Sequence, residues 1–290
     1  MSGTRDSSGG SVTSSADDEL RLVPTIRLTG VTGADAVPDA DPTEDYHEAS
    51  RLYAGIADPQ VVGAVRLERS PAMRITASRS VKRHPQRPFV ALPAPDLGTA
   101  TLTDVVRGRR SSRTFAAHPL ALRDLATLLH TAYGVTGTVD GTPQAFRAAP
   151  SGGALYPLEL YAVCHRVEGL EVALYHYDPL LHGLELLGSL TAHAGADLTP
   201  YGEVLSDSAA VVAITAVFWR SRFKYGARAY RFTLTEAGHV AQNLLLAATA
   251  LGLASVPVGG FYDRKVDDFI GVDGIFEGSL YLVPVGHAAG

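Results

Sequence analysis

Three arginines and two serines stand together in the run Arg109-Arg110-Ser111-Ser112-Arg113, which is the strongest chemical signal in this sequence. Guanidinium groups bind phosphate oxygens through paired hydrogen bonds, and a serine hydroxyl can complete the set of donors. A solvated helix end or pairing with nearby carboxylates would also explain the arginines, although only Asp104 and Asp124 lie close in sequence. The run therefore favours a phosphate-binding site, but one without the glycine spacing of a P-loop or a Rossmann turn.

Two further runs contain paired glycines that would let a planar ligand approach the backbone. The first is Pro150-Ser151-Gly152-Gly153, in which a hydroxyl and several amides could meet polar ring edges. The second is Gly259-Gly260, which follows an expected strand. Each run is also consistent with an ordinary turn, so neither identifies a ligand by itself.

Lys224 and Tyr225 form the most interesting pair for catalysis. They end the segment Trp219–Tyr225, which follows a buried strand and which we interpret as a loop of the kind that carries active-site residues. A partly desolvated lysine can act as a base, and a tyrosine can pass or accept a proton. A surface lysine beside a packed tyrosine is the alternative interpretation.

Other reactive residue types carry weaker signals. No pair among the ten histidines has metal-ligand spacing with a carboxylate partner, so we predict no metal site. The single cysteine, Cys164, excludes an intramolecular disulfide and lies in an alternating stretch, where a small apolar strand residue is expected. Ser151 lacks the G-x-S-x-G context of a hydrolase nucleophile.

The bulk composition limits the class of protein. Hydrophobic residues make up 46% of the 290 positions and charged residues 19%, as in a globular protein with an ample core. A net charge of −5 argues against bulk electrostatic binding to nucleic acid. We find neither a signal peptide nor an apolar run that could span a bilayer, so we expect a cytoplasmic protein without a membrane partner.

Composition and periodicity divide the chain into three parts. Residues 1–44 are rich in Ser, Gly, Asp and Thr, which predicts a disordered extension. Residues 45–99 are a transition segment expected to pack on the core, and residues 100–290 form the main domain.

Within the main domain, helical and strand patterns interleave. Apolar spacing predicts a helix from Leu122 that stops at Gly134, and a second helix that Thr235 caps and that runs to Leu251. The second helix is apolar around most of its circumference, which indicates either a core helix or a subunit interface. Strands are expected near 158–163, 172–177, 184–187, 209–217, 254–258 and 280–285. The pattern predicts an α+β or α/β domain.

Taken together, these runs resemble the nitroreductase superfamily, and specifically its SagB-type dehydrogenase branch, the azoline oxidases. The resemblance covers about 100–287 and rests on the joint order of several motifs rather than on any one. They are Arg109–Arg113, Arg147–Pro157, Tyr175–Pro179, Lys224–Arg231, Gly238–Leu244, Leu251–Leu253 and Gly259–Phe261. General nitroreductases usually carry a Ser-x-Asn-x-Gln-Pro type of sequence after the second motif, where this chain has Ala154-Leu155-Tyr156-Pro157.

The resemblance implies an FMN-binding α+β fold with a central, mostly antiparallel sheet flanked by helices, usually as a homodimer with two flavin sites at the interface. It also implies roles for individual residues. Arg109, Arg110, Ser111 and Arg113 would hold the FMN phosphate and ribityl chain; Pro150, Ser151 and Gly152 would line one side of the ring system, and Gly259 and Gly260 the other. The catalytic Lys-Tyr pair of the azoline oxidases would fall on Lys224 and Tyr225.

The resemblance further implies oxidation of thiazolines or oxazolines in a ribosomally made peptide to thiazoles or oxazoles. The expected partners are that peptide and a cyclodehydratase. Two alternatives remain: an NAD(P)H-dependent reductase of nitro compounds or quinones, and a non-catalytic flavoprotein that serves as a scaffold subunit of a biosynthetic complex.

Overall fold

A computed structural model of the protein describes residues 42–52, 54 and 63–289, and the chain divides into two compact units, 1–51 and 52–290. The described part of the first unit is chiefly helix α1, Pro42–Ala49. Proline suits a first helical position because its missing N–H has no partner there. The predicted disordered extension, 1–44, lies outside the described residues except for the start of α1.

The second unit is built around a seven-stranded sheet with helices on both faces. Its helices and strands, in chain order, are α2 (Gly63–Arg69), α3 (Pro71–Ser78), β1 (Phe89–Ala91), α4 (Leu102–Gly108), α5 (Leu122–Tyr133), β2 (Val135–Thr138), β3 (Ala145–Arg147), β4 (Leu158–Cys164), β5 (Ala173–Asp178), β6 (Gly183–Ser189), α6 (Gly202–Ser206), β7 (Ala210–Val217), α7 (Trp219–Tyr225), α8 (Arg228–Ala250), β8 (Ala254–Ser255), α9 (Asp263–Ile270) and β9 (Glu277–Gly286).

The strand order is β1-β6-β5-β4-β7-β9-β8, and each of these neighbours pairs antiparallel. Strands β2 and β3 form a separate hairpin. The prediction of an α+β fold with a mostly antiparallel sheet is therefore confirmed.

The two faces of the sheet belong to two apolar clusters, because side chains alternate along each strand. Leu158 and Leu160 of β4 pack in the larger cluster with residues of α5 and α8. Tyr161 and Val163, one position on, pack in the smaller cluster with residues of α9. Strand β4 is buried along its whole length, although its alternating sequence includes the charged residue Glu159. Cys164 ends this strand as a buried free thiol, and burial raises its pKa, which agrees with a packing role.

Helix α8 begins earlier than the sequence predicts. Thr235 does not cap it: the helix starts at Arg228, and the Thr235 hydroxyl donates to the carbonyl of Arg231 at 2.9 Å. Such a bond back to residue i−4 is the alternative use of a threonine hydroxyl inside a helix.

The apolar residues of α8 are largely buried within the chain itself. Val240 and Leu244 are fully buried against the sheet and α5. This supports the core-helix interpretation, and these residues carry no argument for a subunit interface. In the described part of the chain, no helix has the length and apolar character needed to cross a membrane.

The segment Trp219–Tyr225 is helix α7 and not the loop that we expected. Phe218 accepts backbone hydrogen bonds from Ser221 and Arg222, which closes the first turn, and the helix ends at Gly226 with φ of 54°. A left-handed φ at this place favours glycine. Lys224 and Tyr225 therefore stand in the last turn of a short helix between β7 and α8.

Candidate active site

The arginine segment begins where α4 ends and lies beside β8. Ser111 forms a parallel bridge with Ser255, and the Ser112 N–H donates to the Ser255 carbonyl at 3.0 Å. This pairing fixes the backbone of the segment while its side chains stay outside the core. The sequence run and a distant strand thus form one structural unit.

The guanidinium groups of this segment have no acidic partner among the described residues. Within residues 42–52, 54 and 63–289, no carboxylate lies within ion-pairing distance of Arg109, Arg110 or Arg113. Arg110 donates to the carbonyls of Arg107 and Arg109, both at 2.8 Å, and Arg113 is exposed. Pairing with neighbouring carboxylates, the alternative explanation of the run, is thus absent from the described part of the chain.

Arg113 lies near the second pair of glycines. Arg113, Gly259 and Gly260 line one cavity of about 140 Å³, together with Tyr201. The Thr199 hydroxyl donates to the Gly260 carbonyl at 2.8 Å and holds the turn in place. Both glycines are exposed, so their backbone is open to a ligand.

Pro150, Ser151 and Gly152 line a second cavity, of about 380 Å³. We call this stretch the Pro150–Gly152 wall. Helices α7 and α8 form the rest of the cavity, through Tyr225, Phe232, Thr235, Glu236 and His239. The first glycine run and the predicted catalytic tyrosine therefore share one cavity.

Lys224 and Tyr225 converge on Gly153, the residue that follows this wall. A Cβ atom at Gly153 would lie 2.7 Å from both Lys224 Nζ and Tyr225 Oη. Lys224 Nζ lies 5.0 Å from the centre of the Tyr225 ring, and Phe232 packs edge-on against that ring with centroids 5.0 Å apart. Gly153 also has φ of 67°, so both its conformation and its crowded surroundings favour glycine.

Glu236 is a polar residue of this cavity that the sequence analysis missed. It is 3% exposed, and the Tyr133 hydroxyl donates to its Oε1 at 2.7 Å. Burial raises the pKa of Glu236 to about 7, against hydrogen bonds from Ser151 and Tyr133 that favour the ionised form. The signal was hidden because a helix starting at Thr235 would place Glu236 in an exposed first turn.

The predicted site residues that line a cavity fall into two groups, whereas Arg109, Arg110, Ser111 and Lys224 line neither cavity. Arg113 and the Gly259-Gly260 pair line the first cavity, and the Pro150–Gly152 wall and Tyr225 line the second. The two cavities share no lining residue.

A buried cluster on the other face of the sheet includes a possible set of metal ligands. Ligand atoms of His84, His176 and Glu185, from three separate segments, lie within 4.8 Å of one another. Both ring nitrogens of His176 are already bonded, to Glu159 at 2.8 Å and to Glu185 at 3.0 Å.

Neighbouring charges shift the pKa values of His176 and Glu159. Burial alone would lower the pKa of His176, but the two carboxylates outweigh it and raise that pKa. Burial would likewise raise the pKa of Glu159, yet hydrogen bonding to His176 and the charge of Arg220 lower it to about 2. Because both ring nitrogens of His176 are bonded to carboxylate oxygens, neither is left to bind a metal, and the cluster is a hydrogen-bonded group within the core.

Two curated proteins illustrate what this chain resembles. One, from Methanocaldococcus jannaschii, carries a nitroreductase name and is 38% identical over 194 residues, 67% of this chain and 94% of that protein. The other is the microcin B17-processing protein McbC of Escherichia coli, 32% identical over 138 residues. That match covers 44% of this chain and 49% of McbC, so the chain spans about half the length of this relative.

Structural comparison agrees on the fold. A chain of the E. coli microcin synthetase McbBCD complex with truncated pro-MccB17 bound superposes with a TM-score of 0.55 at 22% identity. The superposition covers 91% of this chain and 98% of that one. Residues 106–287 match the sequence family described as the Nitroreductase family. Because this match extends over more than half of the sequence, the chain belongs to the nitroreductase family.

Proposed function

We propose that this protein is an FMN-dependent oxidase that converts thiazolines or oxazolines of a ribosomally made peptide into thiazoles or oxazoles. One observation carries the proposal: Lys224 Nζ and Tyr225 Oη converge beside the Pro150–Gly152 wall. The azoline oxidases that the sequence resembles use a Lys-Tyr pair. Similarity to a microcin B17-processing protein supports a peptide as the substrate. A cyclodehydratase that forms the azoline rings is the partner that this substrate requires.

The available donors fit FMN. Guanidinium groups without acidic partners suit a phosphate, and exposed glycines suit a planar ring. The phosphate and ribityl chain would be held by Arg109, Arg110, Ser111 and Arg113, and the ring system by Pro150, Ser151, Gly152, Gly259 and Gly260. When bound, the flavin supplies the oxidising power by accepting a hydride from the azoline ring.

A homodimer would explain why these residues lie in two groups. The two cavities share no lining residue, so a second copy is the simplest source of the missing half of each site. The fold that the sequence resembles usually places two flavins at such an interface. The apolar groove lined by Leu102, Val105, Leu246 and Ala250 is a surface that this dimer could cover.

The Lys-Tyr pair would manage the proton that leaves the ring α-carbon while the hydride leaves the neighbouring atom. Lys224 acts as the base or polarises the ring, and the Tyr225 hydroxyl assists proton transfer. The edge-on contact with Phe232 fixes the Tyr225 ring, so its hydroxyl keeps one direction. Positioned groups of this kind typically contribute about 10²–10⁴-fold in rate.

The test compares Lys224→Ala and Tyr225→Phe with Lys265→Ala, a lysine variant outside both cavities. Both site variants should retain bound FMN, because neither residue belongs to the phosphate or ring-edge groups. Mass spectrometry of a cyclised peptide follows the removal of two hydrogens. The rate of this oxidation should fall by about 10²–10⁴-fold in both variants, and the decrease should be larger for Lys224→Ala. Wild-type rates at equal flavin loading would remove the pair from the mechanism.

A second candidate is an NAD(P)H-dependent reductase of nitro compounds or quinones. The observation in its favour is the relative with a nitroreductase name, of which 94% is covered. Steady-state consumption of NADPH with such acceptors, and no change in an azoline peptide, would favour this second function.

A further inference from the structure

Glu236 is the one carboxyl group among the residues lining the cavity of the Pro150–Gly152 wall. It projects from α8, is 3% exposed, and receives the Tyr133 hydroxyl on Oε1. Ser151, which belongs to the wall itself, is among the neighbours that lower the pKa of Glu236 against the effect of burial. Neither the Lys-Tyr pair nor the phosphate-binding residues explain why an acid is buried here.

The hydrogen bonds of Ser151 give its hydroxyl a direction. Ser151 Oγ accepts the Tyr156 N–H at 2.9 Å, which leaves its own hydrogen for an acceptor such as Glu236, a residue of the same cavity. A hydroxyl has two acceptor lone pairs, and one of them remains for a group in the cavity. Ser151 and Glu236 both line the cavity, so the Ser151 hydroxyl can connect a bound group to the carboxyl.

Charged and titratable groups surround Glu236 on several elements. Arg147 of β3 stacks on the Tyr133 ring at 4.5 Å and donates to the Ser80 carbonyl at 2.6 Å, and its charge opposes the effect of burial on Glu236. Two of its guanidinium nitrogens have no hydrogen-bond partner among the described residues. The other titratable groups facing this region are Tyr133, Tyr156, Lys224, Tyr225 and His239.

The balance of these effects gives the Glu236 carboxyl a pKa near neutral pH. Burial raises the pKa of Glu236 to about 7, although Ser151, Tyr133 and Arg147 favour the ionised form. An exposed glutamate, with a pKa of about 4.3, is ionised throughout the neutral range. The Glu236 carboxyl thus exchanges a proton where an ordinary glutamate does not.

We propose that Glu236 is a positioning residue that exchanges a proton, through the Ser151 hydroxyl, with a protonatable heteroaromatic ring bound against the Pro150–Gly152 wall. As the ring gives its proton to Ser151 Oγ, the hydroxyl hydrogen passes to the Glu236 carboxylate. The bond between the ring and its proton and the original Ser151 O–H bond break, while a new Ser151 O–H bond and a Glu236 O–H bond form, so no oxidation state changes. The ring is the flavin, so this inference rests on the proposed function.

The test follows the visible absorption of the bound flavin across the pH range on either side of 7, in three proteins. The wild type should show a one-proton spectral transition centred near pH 7. Glu236→Gln, which keeps the size and the contact with Tyr133, should lose that transition. Glu168→Gln, which removes an exposed carboxylate, should keep it. Ser151→Ala should shift the midpoint upward, because the carboxylate loses a hydrogen bond.

Infrared difference spectra of the carboxyl C=O stretch provide a second readout that needs no flavin. The wild type should show a protonated carboxyl that disappears near pH 7 and is missing in Glu236→Gln. A carboxylate that is already ionised well below pH 7, or a flavin transition retained in Glu236→Gln, would overturn the inference. A colourless protein, or a yellow protein that leaves azoline peptides unchanged, would instead contradict the proposed function, and the infrared result would still show whether the Glu236 carboxyl titrates near pH 7.

Discussion

Replacing Gly153 with alanine should displace the Lys-Tyr pair. The left-handed φ of 67° costs an alanine roughly 1–2 kcal/mol in free energy of folding. The new Cβ would lie 2.7 Å from Lys224 Nζ and Tyr225 Oη, whereas ordinary contacts begin at 3.4 Å, so each must retreat by about 0.7 Å. Because a misplacement of about 1 Å can cost on the order of 10²-fold in rate, we expect azoline oxidation to fall by about 10–100-fold.

The matched control is Gly152→Ala, one position earlier. There a Cβ would meet Phe232 and Tyr225 carbon atoms at 3.5 Å, an ordinary contact, and φ is not left-handed. Urea unfolding should therefore show a loss of stability for Gly153→Ala and little change for Gly152→Ala. Peptide oxidation is then measured at equal flavin loading. If Gly153→Ala unfolds and oxidises its substrate like the wild type, the convergence on Gly153 has no functional role.

Two further predictions concern the cofactor and pH. Arg109→Ala combined with Arg113→Ala should abolish flavin retention and leave the fold intact, because each charge-assisted contact to the phosphate contributes about 1.5–3 kcal/mol to binding. Arg123→Ala is the control. A double variant that purifies fully yellow would refute the assignment of these arginines to the phosphate. The pKa of Glu236 is about 7 in the folded protein and about 4.5 in the unfolded chain. Between these two pH values the folded protein therefore holds a proton that the unfolded chain has released. The free energy of unfolding should thus fall by about 3 kcal/mol as pH rises through this window, and Glu236→Gln should lack that slope in denaturant titrations.

Local sequence patterns predicted most of the sheet and the helix α5. Strand β7 reads as a continuous β-branched run because both of its faces are buried, and Gly134 stops α5 as expected. The predicted start of α8 was wrong because a threonine hydroxyl can either cap a helix or hydrogen-bond to a carbonyl inside one, and the sequence does not distinguish the two. Only the fold, which packs the preceding two turns, decides between them.

The sequence proposed individual site residues but not how they group in space, and their roles stay a prediction. Motif order identified the arginine run and the Lys-Tyr pair, and the structure brings Tyr225 to the Pro150–Gly152 wall. Glu236 was missed because its burial depends on Tyr133 and Ser151, which are distant in sequence. Similarly, His176 lies between two carboxylates that come from neighbouring strands. Contacts between residues that are distant in sequence produce no recognisable spacing pattern in the sequence.

The bridge between Ser111 and Ser255 also sets a time at which the arginine segment can take its final shape. These two residues are separated by roughly half of the chain. At typical synthesis rates of about 5–20 residues per second, Ser255 is added about 7–30 s after Ser111. In the described part of the chain, the strand that pairs with β8 is β9, which is made later still. The arginine segment can therefore take its final conformation only when nearly the whole domain has been made, and any ligand that needs this conformation binds late in synthesis.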